Sequence, residues 1–136
     1  MFLKNGESID IMVIDTETTD LDEFKEIVEV GLLLVELSQE NGKFSWRRKE
    51  KFHSLIRPNK PISQQAERVN GITQEQLDKA PIAITVRGEI LGWWSEGLGG
   101  EQYTILGHNY GNFDSSLLRK FLSSSYDEMF DYHSLD

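Results

Sequence analysis

The stretch SIDIMVIDTETTD, residues 8–20, joins an apolar β-strand pattern to a run of acidic and hydroxyl side chains. Apolar residues alternate along its first half and also occupy the second face, at Met12 and Ile14. A strand that is apolar on both faces is typical of the centre of a sheet. We therefore predict a central strand over residues 8–14 and a polar loop over residues 15–25.

Two carboxylates, Asp15 and Glu17, follow this strand directly. Because residues two apart on an extended chain point the same way, we expect both to share one face. Carboxylates held side by side repel each other, so a bound cation would stabilise the pair. Mg²⁺ and Mn²⁺ prefer oxygen ligands, and two such ions about 3.5–4 Å apart can serve phosphoryl transfer. The alternative interpretation is an acidic surface loop that caps the next element.

A third carboxylate, Asp114, follows a short strand predicted over residues 103–106. The connecting loop contains His108 and Asn109, and a helix is predicted to start at Phe113 and end at residue 122. Asp114 then lies in the first helical turn, where the helix dipole favours a charged carboxylate. It is either a metal ligand or a plain helix-start acid. His108 is a base, a loop buttress or an exposed residue.

The rest of the chain alternates between strand and helix patterns. Strands are predicted over residues 26–37 and 44–56, joined by a turn at Asn41-Gly42. A short helix ends at Gly71, a second is capped by Thr73, and Pro81 opens a longer one. A last strand is predicted over residues 129–135. This order predicts an α/β domain with a mixed sheet.

Composition limits the class of protein. The chain has 136 residues, 38% hydrophobic and 27% charged, which suits one soluble domain. It has no cysteine, which excludes disulfides, thiolate zinc sites and a cysteine nucleophile. No apolar run approaches the roughly 20 residues of a membrane span, and no secretory signal is visible. We expect a cytoplasmic protein without a membrane association.

Charge is distributed unevenly along the chain. The net charge is −9, yet residues 43–68 contain eight basic and two acidic residues, a net +6 against −15 for the remainder. Such a basic segment on an acidic body could follow a phosphate backbone. The equally weighted alternative is a solvated edge hairpin whose lysines prevent aggregation.

Four stretches together resemble the DEDD superfamily of 3'-to-5' exonucleases, the class of polymerase proofreading subunits. The first is VIDTETT, residues 13–19, and the second is GHNYGNFD, residues 107–114. Between them, FHSLIRP at residues 52–58 and VNGIT at residues 69–73 are similar to the family's strand-to-proline stretch and its His-Gly-Ile-Thr signature. Asn70 stands where histidine is more usual.

The resemblance implies a fold and a site. The fold is a ribonuclease H-like mixed sheet flanked by helices, C-terminally truncated. The site would hold two Mg²⁺ or Mn²⁺ ions between carboxylates of Asp15, Glu17 and Asp114 and would release nucleoside 5'-monophosphates from 3' ends of single-stranded DNA or RNA. The resemblance implies that substrate contacts come from the following residues: Thr16, Thr18, His108, Asn109 and Phe113.

The family's third motif supplies a fourth aspartate and a histidine or tyrosine that positions water. The sequence ends at Asp136, before the expected place of that motif, and we do not assign its roles to His133 and Asp136. Without the late helices of the family, we expect an uncovered sheet face that a homodimer or a protein partner covers.

Two functional hypotheses therefore stand. One is a metal-dependent 3'-5' exonuclease. The other is a non-catalytic module with an incomplete exonuclease fold that binds nucleic acid or a replication protein. An inactive truncated fragment is a third possibility. The sequence does not distinguish a DNA substrate from an RNA substrate, because no residue reports contacts to the 2'-hydroxyl.

Overall fold

A computed structural model describes residues 3–19, 25–107 and 114–134 of the chain. Its centre is a five-stranded mixed sheet in the order β3-β2-β1-β4-β5, with helices on both faces. The strands are β1 (Ser8–Thr18), β2 (Ile27–Glu40), β3 (Lys43–Leu55), β4 (Tyr103–Gly107) and β5 (Phe130–Ser134). The helices are α1 (Gln64–Asn70), α2 (Gln74–Asp78), α3 (Ala83–Gly92), α4 (Asp114–Leu122) and α5 (Ser125–Met129). The predicted α/β class with a mixed sheet is confirmed.

The first three strands form an antiparallel meander. β1 pairs with β2 from Ser8↔Ser38 to Thr18↔Ile27, and β2 pairs with β3 from Glu29↔Leu55 to Glu40↔Lys43. The turn between β2 and β3 has positive φ angles at Asn41 (53°) and Gly42 (79°), which the Asn-Gly pair tolerates. The predicted hairpin is therefore confirmed.

The predicted end of β1 at residue 14 is wrong. The strand continues to Thr18, because β2 supplies backbone partners to Asp15, Thr16 and Glu17. Residues 15–18 are all polar, so the hydrophobic pattern does not indicate that this segment is extended. The first two carboxylates consequently lie on a strand and not in a loop.

β4 and β5 complete the sheet in the same direction as β1. β1 pairs with β4 in parallel through Ile11↔Thr104 and Met12↔Ile105, and β4 pairs with β5 in parallel. α3, α4 and α5 cover one face of the sheet, where the main core forms around Met12, Val86 and Leu118. Trp93 and Trp94, in a π-helical turn after α3, pack partly buried against this core.

The short helices follow their capping signals. Ser63 caps α1 through its hydroxyl, and Gly71 ends that helix with a φ of 75°. Thr73 and Gln76 form a capping box at the start of α2. Helix α1 buries none of its residues, and its Val69 is exposed. Helix α5 was not predicted, because five mostly polar residues carry little periodicity.

The second sheet face is less fully covered. We call it the Asp15 face, defined by the odd-numbered residues Ile9 to Glu17 of β1 and their partners on β2 and β3. One end carries a small cluster around Ile11, Val35 and Leu37, and the other carries Val28 with Ile62, Ile72 and Leu77. Between them Val13 is exposed. No helix within the described ranges is long and apolar enough to cross a membrane.

Candidate active site

Asp15 and Glu17 lie near the end of β1. They are two residues apart, which is about 7 Å along an extended strand. Asp15 is exposed and Glu17 is half-buried. Their partners across β2 are Gly31 and Glu29. The expectation that both carboxylates share one face of an extended chain is therefore consistent with the strand register, although the strand is longer than expected.

Thr16 and Thr18 alternate with these carboxylates and so lie toward the opposite face of the sheet. Thr16 is half-buried, and only 8% of Thr18 is exposed. A side-chain contact from Thr18 to a ligand therefore has little surface available. The role of both residues beside a terminal nucleotide stays a prediction.

Hydrogen bonds fasten the end of β1 from two directions. Thr19 and Glu26 are joined by two bonds, from the Thr19 N–H to the Glu26 carbonyl (2.9 Å) and from the Glu26 N–H to the Thr19 hydroxyl (3.1 Å). The Ser63 hydroxyl donates to the Thr19 carbonyl (3.3 Å), and Asn70 Nδ2 donates to the Thr18 carbonyl (3.4 Å). Residues at both ends of helix α1 are thus hydrogen-bonded to the end of the strand that carries Asp15 and Glu17.

Glu29 and His53 form a pair that sequence reasoning did not single out for function. Their side chains approach to 2.7 Å between His53 Nε2 and Glu29 Oε2, on the Asp15 face. In the register, Asp15, Gly31 and His53 form one row across β1, β2 and β3. Because Gly31 has no side chain, the row leaves an open strip between the Asp15 carboxylate and the His53 ring. Only strand register could have revealed this, since Glu29 and His53 are distant in sequence.

The second cluster is only partly described. β4 is parallel to β1, so the chain leaves both strands at the same edge of the sheet, and α4 begins at Asp114 after β4. The backbone thereby brings the start of α4 toward the edge where β1 ends. The side chain of Asp114 and the predicted residues His108, Asn109 and Phe113 lie outside the described part of the structure.

The donor chemistry at this edge suits a hard divalent cation. Asp15 and Glu17 offer carboxylate oxygens, the ligands that Mg²⁺ and Mn²⁺ prefer. Within residues 3–19, 25–107 and 114–134, as far as side chains are described, no group of three acidic, histidine or cysteine residues is close enough to hold a metal ion. A complete ligand set therefore needs at least one further group, such as the predicted Asp114.

The basic segment divides between the two faces of the edge strand β3. Arg47 and Lys49 lie opposite the Asp15 face, where they pair with Glu36 (3.4 Å) and Asp10 (2.7 Å). The hydrogen bond to Asp10 raises the pKa of Lys49 above its usual 10.5. On the Asp15 face, β3 presents the following row: Phe44, Trp46, Arg48, Lys51 and His53. Phe44 and Trp46 are 59% and 61% exposed, so two exposed aromatic residues are followed by two basic residues along this edge.

Known proteins are similar to this chain over the residues that form the candidate site. The exonuclease family model RNase_T matches residues 12–135. The chain is 32% identical over 117 residues to a PolC-type DNA polymerase III of Thermotoga petrophila, a match that covers 85% of this chain and 8% of the polymerase. It is also 32% identical over 87 residues to an uncharacterised exonuclease, CP81, of Escherichia phage 186, covering 64% of this chain and 39% of the phage protein.

Solved structures show the same fold. The nuclease domain of 3'hExo, a DEDDh family member bound to rAMP, matches with a TM-score of 0.64 and 25% identity, over 88% of this chain and 60% of that one. Exonuclease I of E. coli, in complex with an oligonucleotide, matches with a TM-score of 0.64 and 14% identity, over 93% of this chain and 28% of that one. The chain thus spans only part of each relative.

The predicted family and fold are confirmed by the extent of these matches, which include the strand of Asp15 and Glu17 and the start of α4. The chain belongs to the RNase_T exonuclease family of the DEDD superfamily, with a ribonuclease H-like fold.

Proposed function

We propose that this chain is a metal-dependent 3'-5' exonuclease. It hydrolyses phosphodiester bonds at the 3' ends of single-stranded DNA or RNA and releases nucleoside 5'-monophosphates. The observation that carries the proposal is the placement of Asp15 and Glu17 on one sheet face at the edge where α4 begins, in a chain of the exonuclease family. Residues 1–136 act in this proposal as a single exonuclease domain.

Asp15, Glu17 and Asp114 hold two Mg²⁺ or Mn²⁺ ions in this proposal. When bound, the ions would supply an activated water and charge stabilisation of the leaving 3' oxygen. The protein contributes fixed carboxylate positions, because α1 fastens the end of β1 through Thr18 and Thr19. A rigid strand end keeps the ligands from having to be ordered anew in each catalytic cycle.

The Asp15 face supplies the path of the substrate strand. The strip over Gly31, which has no side chain, lies directly beside Asp15, and in this proposal the sugar-phosphate backbone passes over it. Farther along β3, Arg48 and Lys51 offer cations for phosphates, and Trp46 offers an exposed ring on which a base can stack. We propose that the terminal nucleotide lies at the sheet edge where β1 ends, a position reachable from both faces, and that it contacts Thr16, Thr18, His108, Asn109 and Phe113, as the resemblance implies. The homodimer or protein partner on this face stays a prediction.

The test of polarity and metal dependence uses one single-stranded oligonucleotide labelled at either its 5' or its 3' end. With Mn²⁺ or Mg²⁺, the 5'-labelled strand shortens one nucleotide at a time, whereas the 3' label is released at once as a mononucleotide. EDTA abolishes both. Chromatography of the released product identifies a nucleoside 5'-monophosphate.

Three results would contradict the proposal. Internal cleavage products would indicate an endonuclease, and release of the 5' label first would reverse the polarity. A folded chain that binds the oligonucleotide without shortening it would favour the non-catalytic binding module. A parallel RNA oligonucleotide of the same sequence decides between the two substrate classes.

A further inference from the structure

A cavity of about 450 Å³ opens on the side of the sheet opposite Asp15. Its walls come from the start of β2, the residues that follow β3, the start of α3 and the middle of α4. Ile27 and Ile56, at its base, belong to the main core beneath α3 and α4. This volume is in the range of small-molecule sites, about 300–1,000 Å³. The sheet therefore separates the cavity from Asp15 and Glu17.

Positive charge surrounds the cavity although the chain as a whole carries −9. The ionisable residues in its wall are Lys25, Arg57, Arg87, Lys120 and one acid, Glu26. The Glu26 carboxylate does not pair with these cations in the described contacts. It accepts hydrogen bonds from the backbone N–H groups of Asn59 (2.9 Å) and Lys60 (3.1 Å). As far as the structure describes the chain, Arg57, Arg87 and Lys120 have no ion-pair partner. Such a concave cationic wall attracts anions.

Arg87 carries a buried donor without an acceptor. Its Nε is shielded from solvent and has no hydrogen-bond partner among the described residues. A buried polar group without a hydrogen-bond partner is destabilising, so the arrangement favours an acceptor supplied from beyond the described residues. The start of α3 adds to this field, since no side chain caps it and its first turn has no acidic residue.

Apolar groups form the mouth and wall beside these cations. Ile82 and Ile84 are 44% and 71% exposed, which is unusual for isoleucine and places two open apolar side chains at one cavity. Leu117 and Phe121 line the α4 side and pack partly buried against the core. A free phosphate would leave these surfaces unused, whereas a molecule with an anionic end and a flat apolar part would cover both.

We infer that this cavity is a nucleotide-binding site, in which Arg57, Arg87 and Lys120 bind the phosphate and Ile82, Ile84 and Phe121 contact the base. The ligand is either a free nucleoside monophosphate or one nucleotide of a single strand that passes around the sheet edge. The choice of a nucleotide rests on membership of the exonuclease family. The inference does not depend on catalysis at Asp15, because the cavity lies on the other side of the sheet.

The test measures binding without turnover. Asp15→Ala protein in EDTA is titrated with adenosine 5'-monophosphate, with inorganic phosphate and with a single-stranded oligonucleotide, by isothermal titration calorimetry. Arg87→Gln and Lys120→Gln are introduced into this background. Lys120 is exposed and has no partner in the described structure, so its replacement does not threaten folding. Lys79→Gln, which removes an exposed cation at the end of α2 that lies outside the cavity wall and the proposed substrate path, is the matched control.

We expect Arg87→Gln and Lys120→Gln each to raise the Kd for the nucleotide about tenfold, as loss of one charge-assisted hydrogen bond implies. Lys79→Gln changes it less than about twofold. If adenosine monophosphate shows this pattern, the ligand is a free nucleotide; if only the oligonucleotide shows it, the ligand is a strand. The inference is overturned if neither variant differs from Lys79→Gln, or if inorganic phosphate binds as tightly as the nucleotide. Failure of the exonuclease assay leaves this measurement unaffected.

Discussion

Asp15 faces Gly31 across the β1–β2 ladder, so the exposed carboxylate lies beside a strand position that has no side chain. A Cβ atom at Gly31 would lie 3.8 Å from the Asp15 carbonyl oxygen, an ordinary van der Waals contact. The glycine is therefore not required by the backbone at this position. Its consequence is the open strip that leads from Asp15 to His53.

Substitutions at Gly31 separate stability from activity. Gly31→Ala should raise the free energy of unfolding by about 0.4–1 kcal/mol, because it restricts the unfolded chain and fits the native space. Gly31→Leu should fill the strip and lower the exonuclease rate about tenfold or more while the fold is retained. Urea unfolding and a single-turnover assay measure the two effects. Full activity of a folded Gly31→Leu protein would show that the substrate does not use the strip.

Asn70 connects helix α1 to the strand that carries the carboxylates. Its Nδ2 donates to the Thr18 carbonyl (3.4 Å), and its Oδ1 accepts from the Ile72 N–H (3.0 Å). Asn70→Asp keeps the acceptor and removes the donor, so we expect a loss of activity of several fold with less than about 1 kcal/mol of destabilisation.

Gln74→Glu is the matched control for Asn70→Asp. It also exchanges an amide for a carboxylate and keeps an acceptor, for the Ile62 N–H at 2.9 Å, but it does not contact β1. Rates on the labelled oligonucleotide compare the two variants. Equal rates for both would mean that the bond to Thr18 does not position the site.

The pair of Glu29 and His53 should matter more to activity than to stability. Their side chains are 30% and 59% exposed, and an exposed pair contributes less than about 1 kcal/mol. Because the pair borders the strip beside Asp15, His53→Ala and Glu29→Gln should each lower kcat/KM several fold. Glu75→Gln is the control, because Glu75 on α2 forms an exposed pair with Lys79, the residue after that helix. If all three variants have wild-type kcat/KM, the pair is structural.

Tyr103 should make the free energy of unfolding depend on pH in the alkaline range. Burial raises the pKa of its phenol above the usual 10.0, and its hydroxyl donates to the Leu98 carbonyl (3.2 Å). The folded protein then holds the proton more tightly than the unfolded chain, so this contribution is complete below pH 10 and is lost as pH rises through the folded pKa. Tyr103→Phe should give a shallower decline of the free energy of unfolding above pH 10. An identical decline in both proteins would contradict this assignment.

Much of the fold follows from local sequence patterns. Apolar alternation located the strands, the Asn41-Gly42 pair located the hairpin, and Gly71 and Thr73 located the short helices. These features depend on neighbouring residues, which is why a single sequence reveals them. The extension of β1 through Glu17 does not, because its partners on β2 are more than ten residues away.

Part of the candidate site can also be predicted from local sequence patterns, and part of it cannot. The spacing of Asp15 and Glu17 reveals that they share a face once the chain is extended. The contact of Glu29 with His53 depends on the β2–β3 register, which shifts between Leu34 and Val35. The cavity around Arg87 depends on four separate segments that converge only in the folded chain. No local pattern contains that information.

The most direct test compares two aspartates of the same strand. Asp15 lies on the face proposed for catalysis, whereas Asp10 lies on the other face and pairs with Lys49. Rates of 3' shortening are measured with Mn²⁺ for wild-type, Asp15→Asn and Asp10→Asn proteins, each shown to be folded by circular dichroism. Loss of a metal ligand removes several kcal/mol of transition-state stabilisation, so Asp15→Asn should be slower by about a thousandfold and Asp10→Asn by less than about twofold. Equal rates for the two variants would contradict the assignment of Asp15 to the active site.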